Sequence, residues 1–280
     1  MKPDVYQIIT DRIIESLEKG VNPWRKPWNA EQGSPRNAIT GRGYNGINWF
    51  LLNLHGGGRF LTYNQSKKAG GQVKKGEKGC PVVYWNFFET EKNGEKKTIP
   101  FLKYFTVFSL DQCEGLDHLK EEKVEPLDFV PVDKAEATIQ GTGAKINHRG
   151  AQAFYSPSDD EITLPEKEDF KSVDEYYSTA FHELIHWTGH SDRLKRKGIE
   201  GVAAFGSETY SKEELVAEMG AAFLCGEHGI DGCLDNSASY LASWIKRLKG
   251  DNKLAIQAAA QAGKASDFIM KRERKSEEGK

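Results

Sequence analysis

Apolar residues return every three to four positions over residues 5–17, "VYQIITDRIIESL", so the chain should open on an amphipathic helix. A period of two takes over at residues 81–110, "PVVYWNFFETEKNGEKKTIPFLKYFTVFSL". Two aromatic and β-branched runs are separated there by a charged turn with Asn93-Gly94, which predicts a β-hairpin. Residues 153–165, "AFYSPSDDEITLP", have strand-like ends around a turn at 156–160. Helical spacing follows at residues 172–190, "SVDEYYSTAFHELIHWTGH", with Ser172 as cap and Glu175 three residues on. Residues 211–229, "SKEELVAEMGAAFLCGEHG", repeat that pattern, with Ser211 as cap, Glu214 at the capping-box position and Gly229 as stop. Residues 237–270 read as one helix broken at Gly250 or as two in sequence, and the tail "KRERKSEEGK" as disordered. The class is α+β, with no internal repeat.

A chain of 280 residues suits two domains, each able to bury a core. The acidic stretch at residues 114–137, "EGLDHLKEEKVEPLDFVPVDKAEA", carries Pro126 and Pro131 and reads as a linker, so the boundary is set near residue 122, giving domains 1–122 and 123–280. Charge divides the same way. Residues 1–115 hold 17 Lys and Arg against 11 Asp and Glu, and residues 116–280 hold 22 against 30, so the two halves should meet different partners. No apolar run approaches the roughly 20 residues of a membrane span, so no membrane partner is expected. The opening segment carries Asp4, Asp11 and Glu15 among its apolar residues, unlike a signal peptide, and predicts a cytoplasmic location. Cys80, Cys113, Cys225 and Cys233 form no CxxC pair, which predicts reduced thiols rather than disulfides or a cysteine metal site.

The chemistry concentrates in "HELIH". An α-helix turns once in about 3.6 residues, so His182 and His186 share a face and can bind one ion, and Glu183 is placed to take a proton from water. This is HExxH, the pattern of zinc hydrolases that cleave peptides, although two core or surface histidines fall at this spacing by chance as well. A third ligand decides. Glu214 on the next helix is expected to fill it, with Glu218 one turn further orienting a ligand histidine from behind, a gluzincin-like arrangement. Glu213 and Glu214 read alternatively as first-turn acids favoured by the helix dipole. Asp192 is a rival, because "HELIHWTGHSD" also reads HExxHxxGxxD, a metzincin-like spacing; His190 could line the cleft or simply close the helix. Ligand type favours Zn2+, with Mn2+ or Co2+ as alternatives. Residues 153–165 should supply a sheet edge on which a peptide substrate could lie as an extra strand.

The first half is basic and aromatic. "NPWRKPWN" sets Trp24 and Trp28 around Arg25 and Lys26; Arg42, Tyr44 and Trp49 follow; and residues 59–78 carry Arg59, Lys67, Lys68, Lys74, Lys75 and Lys78 against Glu77 alone. Cations that neutralise phosphates, interleaved with rings on which bases stack, predict binding to single-stranded DNA. The same tryptophans could instead be core.

"PWRKPW", N-x-x-T-G-x-x-Y-x-G-I-N, "FLTYNQ", G-x-V-K-K-G-E-K-G and "VVYW" resemble the N-terminal single-stranded-DNA-binding domain of ArdC-type antirestriction proteins. "AFYSPSDDEITLP", "HELIHWTGHSDRLKR" and "EELVAEMGAAFL" resemble the zincin-like metallopeptidase domain that follows it in that family. The position of Asp192 is not regularly acidic there. The resemblance implies a protein of mobile elements that guards incoming single-stranded DNA against host restriction. It also implies an unidentified protein substrate for the metallopeptidase domain, or, alternatively, a non-proteolytic DNA shield with a structural metal site.

Overall fold

A computed structural model of the chain describes residues 4–24, 34–92, 95–120, 131–200, 208–230 and 238–271. Helix α1 (Val5–Glu18) is capped by Asp4, whose side chain accepts from the Tyr6 amide. Strand β1 (Arg36–Asn37), helix α2 (Gly46–Asn53), strand β2 (Arg59–Thr62), helix α3 (Tyr63–Lys68) and strand β3 (Gln72–Val73) lead to the long strands β4 (Cys80–Lys92) and β5 (Glu95–Ser109), followed by β6 (Cys113–Glu114). The second half runs α4 (Pro131–Thr142), β7 (Lys145–His148), β8 (Phe154–Ser156), β9 (Glu161–Leu164), α5 (Val173–Thr188), α6 (Lys197–Glu200), α7 (Glu208–His228), α8 (Ala238–Gly250) and α9 (Leu254–Ile269).

The hairpin forms as expected. β4 and β5 pair antiparallel from Cys80↔Val107 to Lys92↔Glu95; residues 93 and 94 lie outside the described residues. The first sheet has the order β1-β2-β5-β4, so β4 is an edge. The Asn48 side chain of α2 closes part of that edge, accepting from the Val83 amide and donating to the Val83 carbonyl, both at 2.7 Å. β3 and β6 form a two-stranded sheet, and a three-stranded sheet has the order β7-β9-β8, which puts β8, the first strand of "AFYSPSDDEITLP", at an edge and β9 in the centre.

One main core crosses both halves, unlike the separate cores expected. Ile9, Ile13, Trp24, Phe50 and Leu52 share it with Phe181, Leu184, Leu215, Leu224 and Ala259. The Trp49 and Phe50 rings stand 5.2 and 4.8 Å from Phe223, and Trp24 meets Trp244 edge-on at 6.1 Å. A small second cluster, Ala38, Leu61, Leu110, Cys113 and Leu116, sits under β2 and β6. Residues 121–130 and the tail from 272 lie outside the described residues. Cys80, Cys113 and Cys225 are free and buried; Cys233 lies outside the described residues. Among the described residues no helix is long and apolar enough to cross a membrane.

Helices α5 and α7 pack closely because of a glycine. A Cβ on Gly220 would lie 2.6 Å from Cδ1 and 2.7 Å from Cγ1 of Ile185, a fully buried side chain on α5. Gly220→Val is expected to cost about 1–3 kcal/mol by overpacking. In urea unfolding its midpoint should fall with the slope unchanged.

Candidate metal centre

Helix α5 starts as the sequence predicts, with Ser172 Oγ accepting from the Glu175 amide at 3.1 Å. One face of it brings His182 and His186 together, their Nε2 atoms 3.1 Å apart. Helix α7 crosses opposite and presents Glu214, with Oε2 at 3.7 Å from His182 Nε2 and Oε1 at 3.5 Å from His186 Nε2. The donor atoms of His182, His186 and Glu214 all lie within 4.8 Å of one another. Donors set tetrahedrally at 2.0–2.1 Å from one ion stand about 3.3 Å apart, so this set fits a divalent metal. Two imidazole nitrogens facing each other beside a carboxylate also call for a cation or a proton between them.

Behind the histidines lies a buried network that sequence reasoning missed. His186 Nδ1 stands 3.3 Å from Glu213 Oε1, a contact that puts the ring proton on Nδ1 and turns the Nε2 lone pair toward the donor set. Arg196 holds Glu213, with Nε 3.1 and 3.0 Å from its two carboxylate oxygens and Nη2 2.7 Å from Oε1. Its remaining donors go to Thr188 Oγ1 at 2.7 Å and to the Ile185 carbonyl at the end of α5. Burial alone would raise the Glu213 carboxyl, but His186 and Arg196 outweigh it and hold its pKa below the usual carboxylate range. Gly198 makes room, since a Cβ there would fall 2.7 Å from Glu213 Cβ.

The Glu218 carboxylate accepts from the Tyr240 hydroxyl, and it is Glu213 that meets His186. Burial pushes the Glu218 carboxyl up to about 7. Asp192 is exposed and lies 3.7 Å from His190, so the metzincin-like alternative has no donor at the site. α7 also begins at Glu208, one turn before the expected Ser211 cap, and Ser211 is buried inside it. Gly229 ends α7 with a left-handed φ of 68°, as its residue type suggests, and residues 251–253 separate α8 from α9, so the last helical stretch is two helices. Glu183 is buried beside His182, and among the described residues nothing hydrogen-bonds to its carboxylate.

Burial disfavours a charged His182, but the hydrogen bond to Glu214 and the charges of Glu183, Glu214 and Glu218 prevail and raise its pKa to about 9. The raised value means that protonation stabilises the metal-free fold fully below about pH 6.5, an effect lost as pH rises through about 9. A metal must displace that proton. Apparent affinity for Zn2+ is therefore expected to rise about tenfold per pH unit from pH 7 toward 8.5 and to flatten above about 9. Competition with a chromophoric chelator across that range measures it.

The basic half divides differently from the expectation. Trp24 and Trp49 are core: Trp24 is fully buried, and Trp49 packs between Phe50 and Phe223, so neither offers a face to a base. Tyr44 is half-buried, edge-on to Phe60 at 6.5 Å. Arg42, Lys67, Lys68, Lys74, Lys75 and Lys78 are exposed, with Lys74 Nζ donating to the Asp111 carbonyl at 2.7 Å; Arg25, Lys26 and Trp28 lie outside the described residues. The exposed rings are others. Tyr63 sits 4.9 Å beneath Lys67 and Phe105 5.1 Å beneath Lys103. Lysine four residues after an aromatic on a helix, or two residues before one on a strand, was the available signal.

This convergence of two histidines and a glutamate across crossed helices defines a zincin-like metal domain. Residues 133–261 match the family described as zincin-like metallopeptidase, and residues 3–108 match the N-terminal domain of anti-restriction factor ArdC. The metal-free crystal structure of the antirestriction ArdC protein from plasmid R388 is 38% identical, with a TM-score of 0.79, covering 97% of this chain and 100% of that one. Its Mn(II)-bound form gives 39% identity and a TM-score of 0.78. The chain belongs to the ArdC family of antirestriction proteins. It is also 39% identical, over 98% of its length, to a protein named DNA primase TraC from Escherichia coli, of which it spans 20%. A protein of Sinorhizobium fredii, y4eC, is 30% identical over 95% of this chain and 91% of its own.

Proposed function

We propose that the chain is a metallopeptidase held on single-stranded DNA by its N-terminal half. The observation that carries the catalytic part is the donor set of His182, His186 and Glu214 with the buried carboxylate of Glu183 beside it. A divalent ion bound there, Zn2+ by ligand type, would supply Lewis acidity toward water and a peptide carbonyl. His182, His186 and Glu214 would hold it, with Glu213 fixing the orientation of His186. Glu183 takes the proton from water and returns it to the leaving amine. The free edge of β8 would align an extended segment of a protein substrate.

Nucleic-acid binding rests on the exposed lysines and on the ring–cation pairs Tyr63–Lys67 and Phe105–Lys103. The match to the ArdC N-terminal domain and the likeness to part of two proteins named DNA primase support a nucleic-acid setting. Tyr63→Ala and Phe105→Ala are each expected to weaken an oligothymidylate by about 1–3 kcal/mol, the worth of one stacked base. Replacing Lys67 and Lys68 should lower the salt dependence by about 0.7 per lost phosphate contact. Fluorescence anisotropy against rising salt, with a duplex as comparison, measures both; equal binding to duplex and single strand would contradict the reading. Peptide hydrolysis by the loaded chain, with and without the oligonucleotide, tests the enzyme.

A further inference from the structure

A hydrogen-bonded chain runs from the N-terminal half to the ligand helix. Trp24, fully buried next to α8, donates from Nε1 to the Tyr240 hydroxyl at 3.1 Å. An indole N–H can only donate, so the Tyr240 oxygen must accept, and its own proton is left for a second partner. That partner is the Glu218 carboxylate. Glu218 is buried and stands one turn beyond Glu214 on α7, so the two carboxylates share a face of the helix. The direction of every bond in the chain is therefore set by Trp24. Trp244, edge-on to both rings, packs them in place at 6.1 and 6.2 Å.

We infer that Trp24 and Tyr240 are positioning residues of the metal centre, which fix the Glu218 carboxylate one turn from the ligand Glu214 and make the N-terminal half part of the site. The inference rests on the reading of His182, His186 and Glu214 as the donor set. Without the tyrosine hydroxyl, the buried Glu218 carboxylate would lose its Tyr240 hydrogen bond and would turn toward another partner. That turn changes the negative charge facing the ion. Because the two residues act in series, their effects cannot add.

The test is Zn2+ affinity of the intact chain by chelator competition at pH 7.5, for wild type, Tyr240→Phe, Glu218→Gln and the double variant. Tyr240→Phe is expected to weaken binding three- to tenfold and Glu218→Gln about tenfold, with the double variant no weaker than Glu218→Gln. Trp24→Phe should give a loss of two- to fourfold. Tyr177→Phe removes another tyrosine–glutamate hydrogen bond, from Tyr177 to Glu136 at 3.0 Å, and should change melting but leave affinity within twofold. Tyr240→Phe binding as tightly as wild type, or losses that multiply in the double variant, would overturn the inference. Wild type that takes up no metal would instead overturn the donor set.

Discussion

Glu183→Gln is expected to lower peptide hydrolysis about 10²–10⁴-fold, the usual contribution of a general base, while leaving metal uptake intact. The separation follows from geometry. The donors that meet one another are His182, His186 and Glu214, whereas Glu183 is buried beside them with no described hydrogen bond to lose. Glutamine keeps the volume and removes the basicity. Hydrolysis of a denatured protein substrate by metal-loaded wild type and variant, with metal content measured on the same samples, checks it. Activity retained within tenfold would assign the proton transfer elsewhere; joint loss of metal and activity would make Glu183 structural.

Arg196→Met should be the most damaging single change to stability, at about 3–5 kcal/mol, because it leaves the Glu213 carboxylate buried without its cation. The same change frees Thr188 Oγ1 and the Ile185 carbonyl of a donor at the end of α5. Since Glu213 orients His186, metal affinity should fall as well, by about 10–100-fold. Adding Glu213→Leu to Arg196→Met removes both charges and should recover much of the stability, but not the metal affinity. Urea unfolding of the metal-free proteins gives the first, and chelator competition the second. Recovery of both would mean that the pair serves folding alone.

Local signals were readable because they depend on neighbours in sequence. The two aromatic and β-branched runs formed the hairpin strands, Ser172 and Glu175 set the start of α5, and His182 and His186 share a face through helix geometry alone. What stayed hidden depends on residues distant along the chain. Glu213 and Glu218 both sit on α7, and only the approach of Arg196 and Tyr240 decides which one meets a ligand histidine. Trp24 and Trp49 lie among basic residues yet face α7 and α8, a packing that no composition or spacing reports. Ser211 carries a cap signal, but α7 gains a further turn and buries that serine. The charge boundary near residue 122 was legible, whereas a core spanning it was not, because α1 and α2 bury their apolar faces against the second half.

X-ray absorption at the metal edge of the Zn2+-loaded chain probes the donor set itself. The account predicts one ion per chain, with two imidazole nitrogens at about 2.0–2.1 Å and carboxylate oxygen completing the protein donors. An ion with no imidazole scattering, or a chain that takes up none, would contradict it.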